Sequence, residues 1–204
     1  MHWKTLAIAV TLISATICPN QAMAECTYSL AESGVRAGWT AFKFTNKAAV
    51  QGNFSDAQLS GPREAGTLTG LAEGLSMLIA GKSVKTGNPG RDATVAGFFF
   101  GFMKDGGQIR GRATRVEGDD TKGTVHIDIT MNGETRDIPF AYTIDKEGLV
   151  NATASIDILN FRMQPAFDQI HKACEEQHTG DDGISKTWTQ VDLSLQGSFT
   201  TNCG

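Results

Sequence analysis

Three side chains near the C-terminal end could act together. His171, Cys174 and His178 are spaced i, i+3 and i+7, which on a continuous helix gathers two imidazoles and a thiol on one face. Imidazole and thiolate suit zinc or copper, and three ligands on one short helix need a fourth, for which Asp181 or Asp182 is at hand. The same spacing also fits a cysteine on the buried side of a helix with two histidines at its rim.

Catalysis has less to work with. The chain holds 4 histidines, and apart from the helical pair only His126, on the polar face of a strand, lies beyond the first residues. No GxSxG elbow, Walker loop, Rossmann turn or CxxC pair occurs. Arg91-Asp92 reads as a turn and a helix cap. These absences point to a chain that is not an enzyme.

The elements that must position these groups are mostly strands. Val125, Ile127, Ile129 and Met131 alternate with polar residues, Asn132-Gly133 is a two-residue hairpin signal, and Ile138, Phe140, Tyr142 and Ile144 alternate on the return. With that turn, Ile127 faces Ile138 and Val125 faces Phe140, so both apolar faces coincide. The alternation recurs in 148–159 (Val150, Ala152, Ala154, Ile156, Ile158) and 187–199 (Val191, Leu193, Leu195, Gly197, Phe199). Strands also fit 38–44, 49–59, 108–116 and 75–80. About eight short strands separated by turn residues predict a mainly β fold, an antiparallel barrel or sandwich.

Two segments have helical spacing, ATVAGFFFGFM after Asp92 and MQPAFDQIHKACEEQH over 163–178. The first concentrates four of the chain's 11 phenylalanines in Phe98, Phe99, Phe100 and Phe102. As a helix, Val95, Phe98, Phe99, Phe102 and Met103 share an arc of roughly 140°, which Phe100 widens to roughly 200°. So wide an arc is either enclosed or has a second apolar surface to face, such as a loop or a greasy ligand. Ala152 and Ala154 on one strand, with Gly111 and Ala113 on another, are small where a closed barrel wants bulk. They either leave a cavity or make room for the aromatic helix.

The first 24 residues read as a leader. Lys4 precedes an apolar run from Leu6 to Ile17, and Ala22-Met23-Ala24 is a small-x-small cleavage site. Residues 25–204 then form one exported domain. The formal net charge of −4 becomes −5 once Lys4 is removed, which argues against a nucleic-acid partner. No later stretch approaches membrane-spanning length. Export permits disulfides, and Cys26 and Cys203 at the two ends of the fold pair if the terminal strands are neighbours, leaving Cys174 as a free thiol.

The sequence also resembles the YceI-like family of exported lipid- and polyisoprenoid-binding proteins. The resemblance is carried by WTAFKFTNKAAVQGNF (39–54), TGNPGRDATVAGFFF (86–100), ITMNGETRDIPFAYTI (129–144) and HKACEEQH…KTWTQVDL (171–193), in order along nearly the whole mature chain. It implies a lipocalin-like antiparallel β-barrel of about eight strands with two short helices, an elongated apolar interior for an isoprenoid chain, and no enzymatic activity. By that implication Phe42, Phe44, Val50, Phe54, Phe98, Phe99, Phe102, Met103 and Phe161 touch the ligand. Trp39 does so only if a bulge intervenes, because it faces away from Phe42 and Phe44. Arg110 and Arg112 share a strand face that is either solvated or meets a phosphate or quinone head group.

The expected protein is a periplasmic or secreted carrier, monomer or homodimer. It holds a polyprenyl compound or quinone as its bound ligand and has no cofactor. The alternatives are a protein-interaction barrel with a filled core and a metal module on His171, Cys174 and His178.

Overall fold

The computed structural model describes residues 25–204. The leader expected over residues 1–24 lies outside them. Among the described residues the strands are β1 (Cys26–Lys43), β2 (Ala48–Phe54), β3 (Ala57–Ser60), β4 (Glu64–Ala65), β5 (Ser76–Ala80), β6 (Val84–Lys85), β7 (Gln108–Gly118), β8 (Lys122–Met131), β9 (Glu134–Ile144), β10 (Leu149–Asp157) and β11 (Thr187–Cys203). The helices are α1 (Leu68–Glu73), α2 (Pro89–Phe98) and α3 (Gln164–Ala173).

The strands form one antiparallel sheet in the order β3-β5-β7-β8-β9-β10-β11-β1-β2-β6, with β4 pairing onto β1. The sheet curls into a half-barrel, and the chain crosses from β2, next to one edge, to β3 at the other edge through only Ser55 and Asp56. Eleven strands replace the expected eight. The stretch 49–59 breaks at Ser55-Asp56, the long β1 begins before its expected start, and β4 and β6 are two-residue pairings too short to show a period. The third helix, α1, lies in LTGLAE, where Thr67 caps it by accepting from the Gly70 N–H at 3.0 Å.

The β8–β9 hairpin has the expected register, Ile127 opposite Ile138 and Val125 opposite Phe140. Asn132 (φ 54°) and Gly133 (φ 80°) both take the left-handed conformation a two-residue turn of this type requires. Asn132 does more than turn the chain. Its buried side chain accepts from the Lys104 N–H (2.8 Å) and donates to the carbonyls of Phe161 (3.1 Å) and Arg162 (3.0 Å). Asn132→Ala orphans three main-chain groups, at about 1 kcal/mol or more each. We expect about 3 kcal/mol of lost stability in urea titrations, and a loss below 1 kcal/mol would show that the Asn132 bonds are not needed.

β1 pairs β11 from Cys26↔Cys203 to Lys43↔Thr187, so the terminal strands are neighbours. Cys26 and Cys203 are bonded, and Cys174 is a half-buried free thiol. The core lies between the concave face of the sheet and α3, with Phe140, Phe161 and Met163 fully buried.

The aromatic segment departs from the expected single helix. α2 starts earlier, at Pro89, because Asn88 is the cap, accepting from the Arg91 N–H at 3.0 Å. Asp92 instead binds the Thr86 N–H (2.8 Å) and hydroxyl (2.5 Å), which hold its carboxyl below the usual range. The helix ends at Phe98 and passes through Phe99 into a 3-10 turn, Phe100–Phe102, so the 100° stripe does not continue. Phe100, outside the expected stripe, is the buried ring. It meets Phe54 and Phe99 edge-on at centroid distances of 5.8 Å and 5.1 Å. Gly81 and Gly107 make its space, since a Cβ on either would overlap Phe100.

Candidate functional site

The concave face encloses a cavity of about 780 Å³. Each long strand supplies its alternate apolar residues: Ala37, Trp39 and Ala41 from β1, Ile127 and Ile129 from β8, Leu193 and Leu195 from β11. Gly111, Ala113 and Ala152 also border it, so small inward residues do leave space. Ala154 packs against the core beside it.

The two ends of the cavity differ in charge. At the Tyr28 end of β1, α1 contributes Leu68, Leu71 and Ala72, and the β7–β8 turn brings Asp119 and Asp120. Tyr28 donates to Asp120 (2.8 Å), and Tyr142 donates to the Asp119 carbonyl (2.8 Å). The Asp119 carboxylate accepts from the Thr121 N–H and hydroxyl and from the Lys122 N–H, which keep its pKa low.

At the Lys43 end, α3 contributes Phe167, Ile170 and Ala173, and Cys174 just past its end, with Gln177, His178 and Thr187, completes the rim. The Thr187 hydroxyl bridges the Nδ1 atoms of His171 (3.0 Å) and His178 (2.7 Å). A hydroxyl has one proton, so one imidazole accepts from it while the other donates. Burial, with smaller contributions from Lys43 and His171, lowers the His178 pKa to about 4, so that ring is neutral at pH 7. Burial raises the Cys174 pKa, partly opposed by the charge of Lys43.

The family described as the YceI-like domain matches residues 28–198. The chain belongs to the YceI-like family. Among solved structures, the polyisoprenoid-binding domain from Saccharophagus degradans implicated in plant cell wall breakdown is 13% identical, with a TM-score of 0.57, covering 89% of this chain and 100% of that one. Burkholderia cenocepacia BcnA is 14% identical, TM-score 0.56, covering 85% and 99%. The Campylobacter jejuni YceI protein is 21% identical, TM-score 0.51, covering 76% and 86%. At these identities the likeness is one of fold. No curated protein matches the chain.

Within this YceI-like domain the residues singled out from sequence divide. Trp39, Phe42, Val50, Phe54 and Phe99 border the cavity. Trp39, ranked behind Phe42 and Phe44 on strand parity, belongs on the inner face beside Ala41. The indole fits because it lies on Gly52, whose missing Cβ it would overlap. Its N–H is buried without a partner among the described residues. Phe42 reaches only the margin. Its register partner is Ala49, on the opposite face from Trp39, and the Lys47 ammonium sits 5.6 Å from its ring.

Of the other candidates, Phe44, Phe98, Phe102, Met103 and Phe161 do not border the cavity. Phe44 has left the strand, with φ 60°, and its carbonyl accepts from the Trp188 indole at 2.8 Å. Phe98 and Phe102 are 44% and 49% exposed, turned outward where the helix ends. Met103 and Phe161 are core residues, 6% and 0% exposed. Arg110 and Arg112 are both exposed; Arg110, bonding Gln108 at 2.7 Å, touches the edge of the cavity, and Arg112 does not.

The expected histidine–cysteine face is broken too. α3 stops at Ala173 and His178 lies in a separate 3-10 turn, Glu176–His178. Among the described residues no group of three or more His, Cys, Asp or Glu is arranged to hold a metal ion. His171 instead stacks on Phe167, the rings 2° from parallel. Sequence reasoning missed Lys43, Gln177 and Thr187 at the rim. The one available signal was the apolar-strand alternation that puts Lys43 on the same side as Trp39 and Ala41.

Proposed function

We propose that this YceI-like protein is an exported carrier that holds an isoprenoid-tailed amphiphile, a polyprenyl compound or a quinone, in its half-barrel. The observation that carries this reading is the apolar cavity with its formal charges kept to its margins. At about 30 Å³ per heavy atom, near the share of a water molecule in liquid, 780 Å³ holds roughly two dozen atoms, or about five isoprene units. Affinity then comes from burying the tail, at about 25 cal/mol per Å² before ordering costs.

Three further observations support the reading. The Saccharophagus degradans structure with the same fold is described as polyisoprenoid-binding. The Cys26–Cys203 disulfide suits an oxidising compartment such as the periplasm, reached through a leader over residues 1–24. Among the described residues no helix is long and apolar enough to cross a membrane. The reading assigns the protein binding and no catalytic step. The filled-barrel alternative is disfavoured by the size of the cavity.

Native mass spectrometry of protein purified from an exporting host, followed by solvent extraction, tests the proposal. We expect a one-to-one adduct that extracts as a polyprenyl compound or quinone. A bare mass that takes up no added isoprenoid would sink the carrier reading and favour a function on the outer surface.

A further inference from the structure

The cations bordering the cavity are not equally committed. Arg91 spends its guanidinium on Thr86, donating to the hydroxyl and the carbonyl at 2.9 Å each. Arg110 donates to the Gln108 side chain and is exposed. Lys43 is different. Its register pairs it with Thr187 on β11 and Ala48 on β2, which directs it to the same side as Ala41. Its ammonium has one hydrogen-bond partner, the Gln177 carbonyl at 3.3 Å, and sits 4.4 Å from the Phe44 ring centroid. Among the described residues no carboxylate lies within 4.0 Å of it. An ammonium has three donors, so two remain for water or a guest.

Around it are neutral donors and acceptors: the His178 ring, the Cys174 thiol and the Gln177 and Thr187 groups. The opposite end of the cavity carries Asp119 and Asp120. Along β1 the two ends are separated by on the order of 40 Å of strand. An anionic head group is therefore attracted at one end and repelled at the other, which fixes the direction in which a lipid lies.

We propose that Lys43, with Gln177, His178 and Thr187 around it, is the seat of an oxyanion head group, a phosphate or carboxylate, on a lipid whose tail runs into the cavity. This rests on the carrier reading and narrows it from amphiphiles in general to anionic ones. A quinone or free alcohol with the same tail can accept a hydrogen bond from the ammonium but lacks the attraction between opposite charges.

The test compares geranylgeranyl monophosphate with geranylgeraniol, which share a tail and differ in charge. At low salt the parent protein is expected to bind the phosphate at least tenfold more tightly. Lys43→Gln erases that preference and leaves the alcohol's affinity within about twofold, and Lys43→Arg restores it. Lys47→Gln is the control. That ammonium binds Gln190 at 2.9 Å and sits 4.5 Å from the Trp188 ring, so the preference should survive. Lys43→Met, which keeps the apolar stem, replaces Lys43→Gln if the latter does not fold. Equal affinity of the parent for both probes, or a preference that persists without Lys43, overturns the proposal and leaves the carrier reading standing. Failure of both probes to bind the parent overturns the two together.

Discussion

Gly111→Phe is expected to leave the half-barrel folded and to empty it of its guest. Gly111 sits in β7 between Met77 and Ile129 and borders the cavity. A Cβ there would meet only the Ile127 methyl at 3.5 Å, an ordinary contact. The ring beyond it has nowhere to go but the cavity. Glycine is poor in a strand and phenylalanine is favoured, and the ring removes its own surface from water. Thermal stability should equal or exceed that of the parent, which separates this variant from a misfolded one.

Binding should respond in the opposite direction. If the ring displaces roughly 150 Å² of tail contact, the loss is about 4 kcal/mol, or several hundredfold in affinity. Titration with a fluorescent isoprenoid reads it directly. Unchanged affinity in a folded Gly111→Phe protein would mean that the guest lies elsewhere, for instance on the exposed Phe98 and Phe102.

The second large effect is on stability. The Cys26–Cys203 bond spans 177 residues of sequence. In the loop-entropy model, closing a loop of that size is worth about 5 kcal/mol. At about 2–4 °C per kcal/mol for a protein of this length, replacing both cysteines by serine lowers Tm by roughly 10–20 °C. Cys174→Ser should have a much smaller effect, because that thiol is only half buried and bonded to no other sulfur. A double variant that melts within a few degrees of the parent would show that the β1–β11 ladder alone keeps the ends together.

Much of this architecture could be read from the chain. Alternation fixes which side of a strand a residue takes. The inward sets of β8, β10 and β11 and the hairpin register at Asn132-Gly133 were accordingly legible. The aromatic segment was not. Helical periodicity assumes that the helix continues, and Gly97 and Gly101 weaken it locally without fixing its end at Phe98. The reason lies in the space that Gly81, on the preceding connection, and Gly107 open for Phe100, which a helical wheel does not register. The histidine–cysteine face failed for the same reason, because α3 stops at Ala173. Lys43 escaped attention for another: charged residues count as solvated until the strand around them is known to curl. Two-residue pairings such as β4 are below the length at which any period can be seen.

The bond between the chain's two ends also has a mechanical meaning. A force applied through Glu25 and Gly204 enters the fold at Cys26 and Cys203 and is carried across the sulfur–sulfur bond. The half-barrel lies outside the line of tension. Stretched by its ends in an atomic force microscope, the oxidised molecule should show no unfolding step, while the reduced one should tear open at the β1–β11 ladder, strand from strand. The closure therefore shields the compartment from pulling at its ends, and a reductant removes that shield.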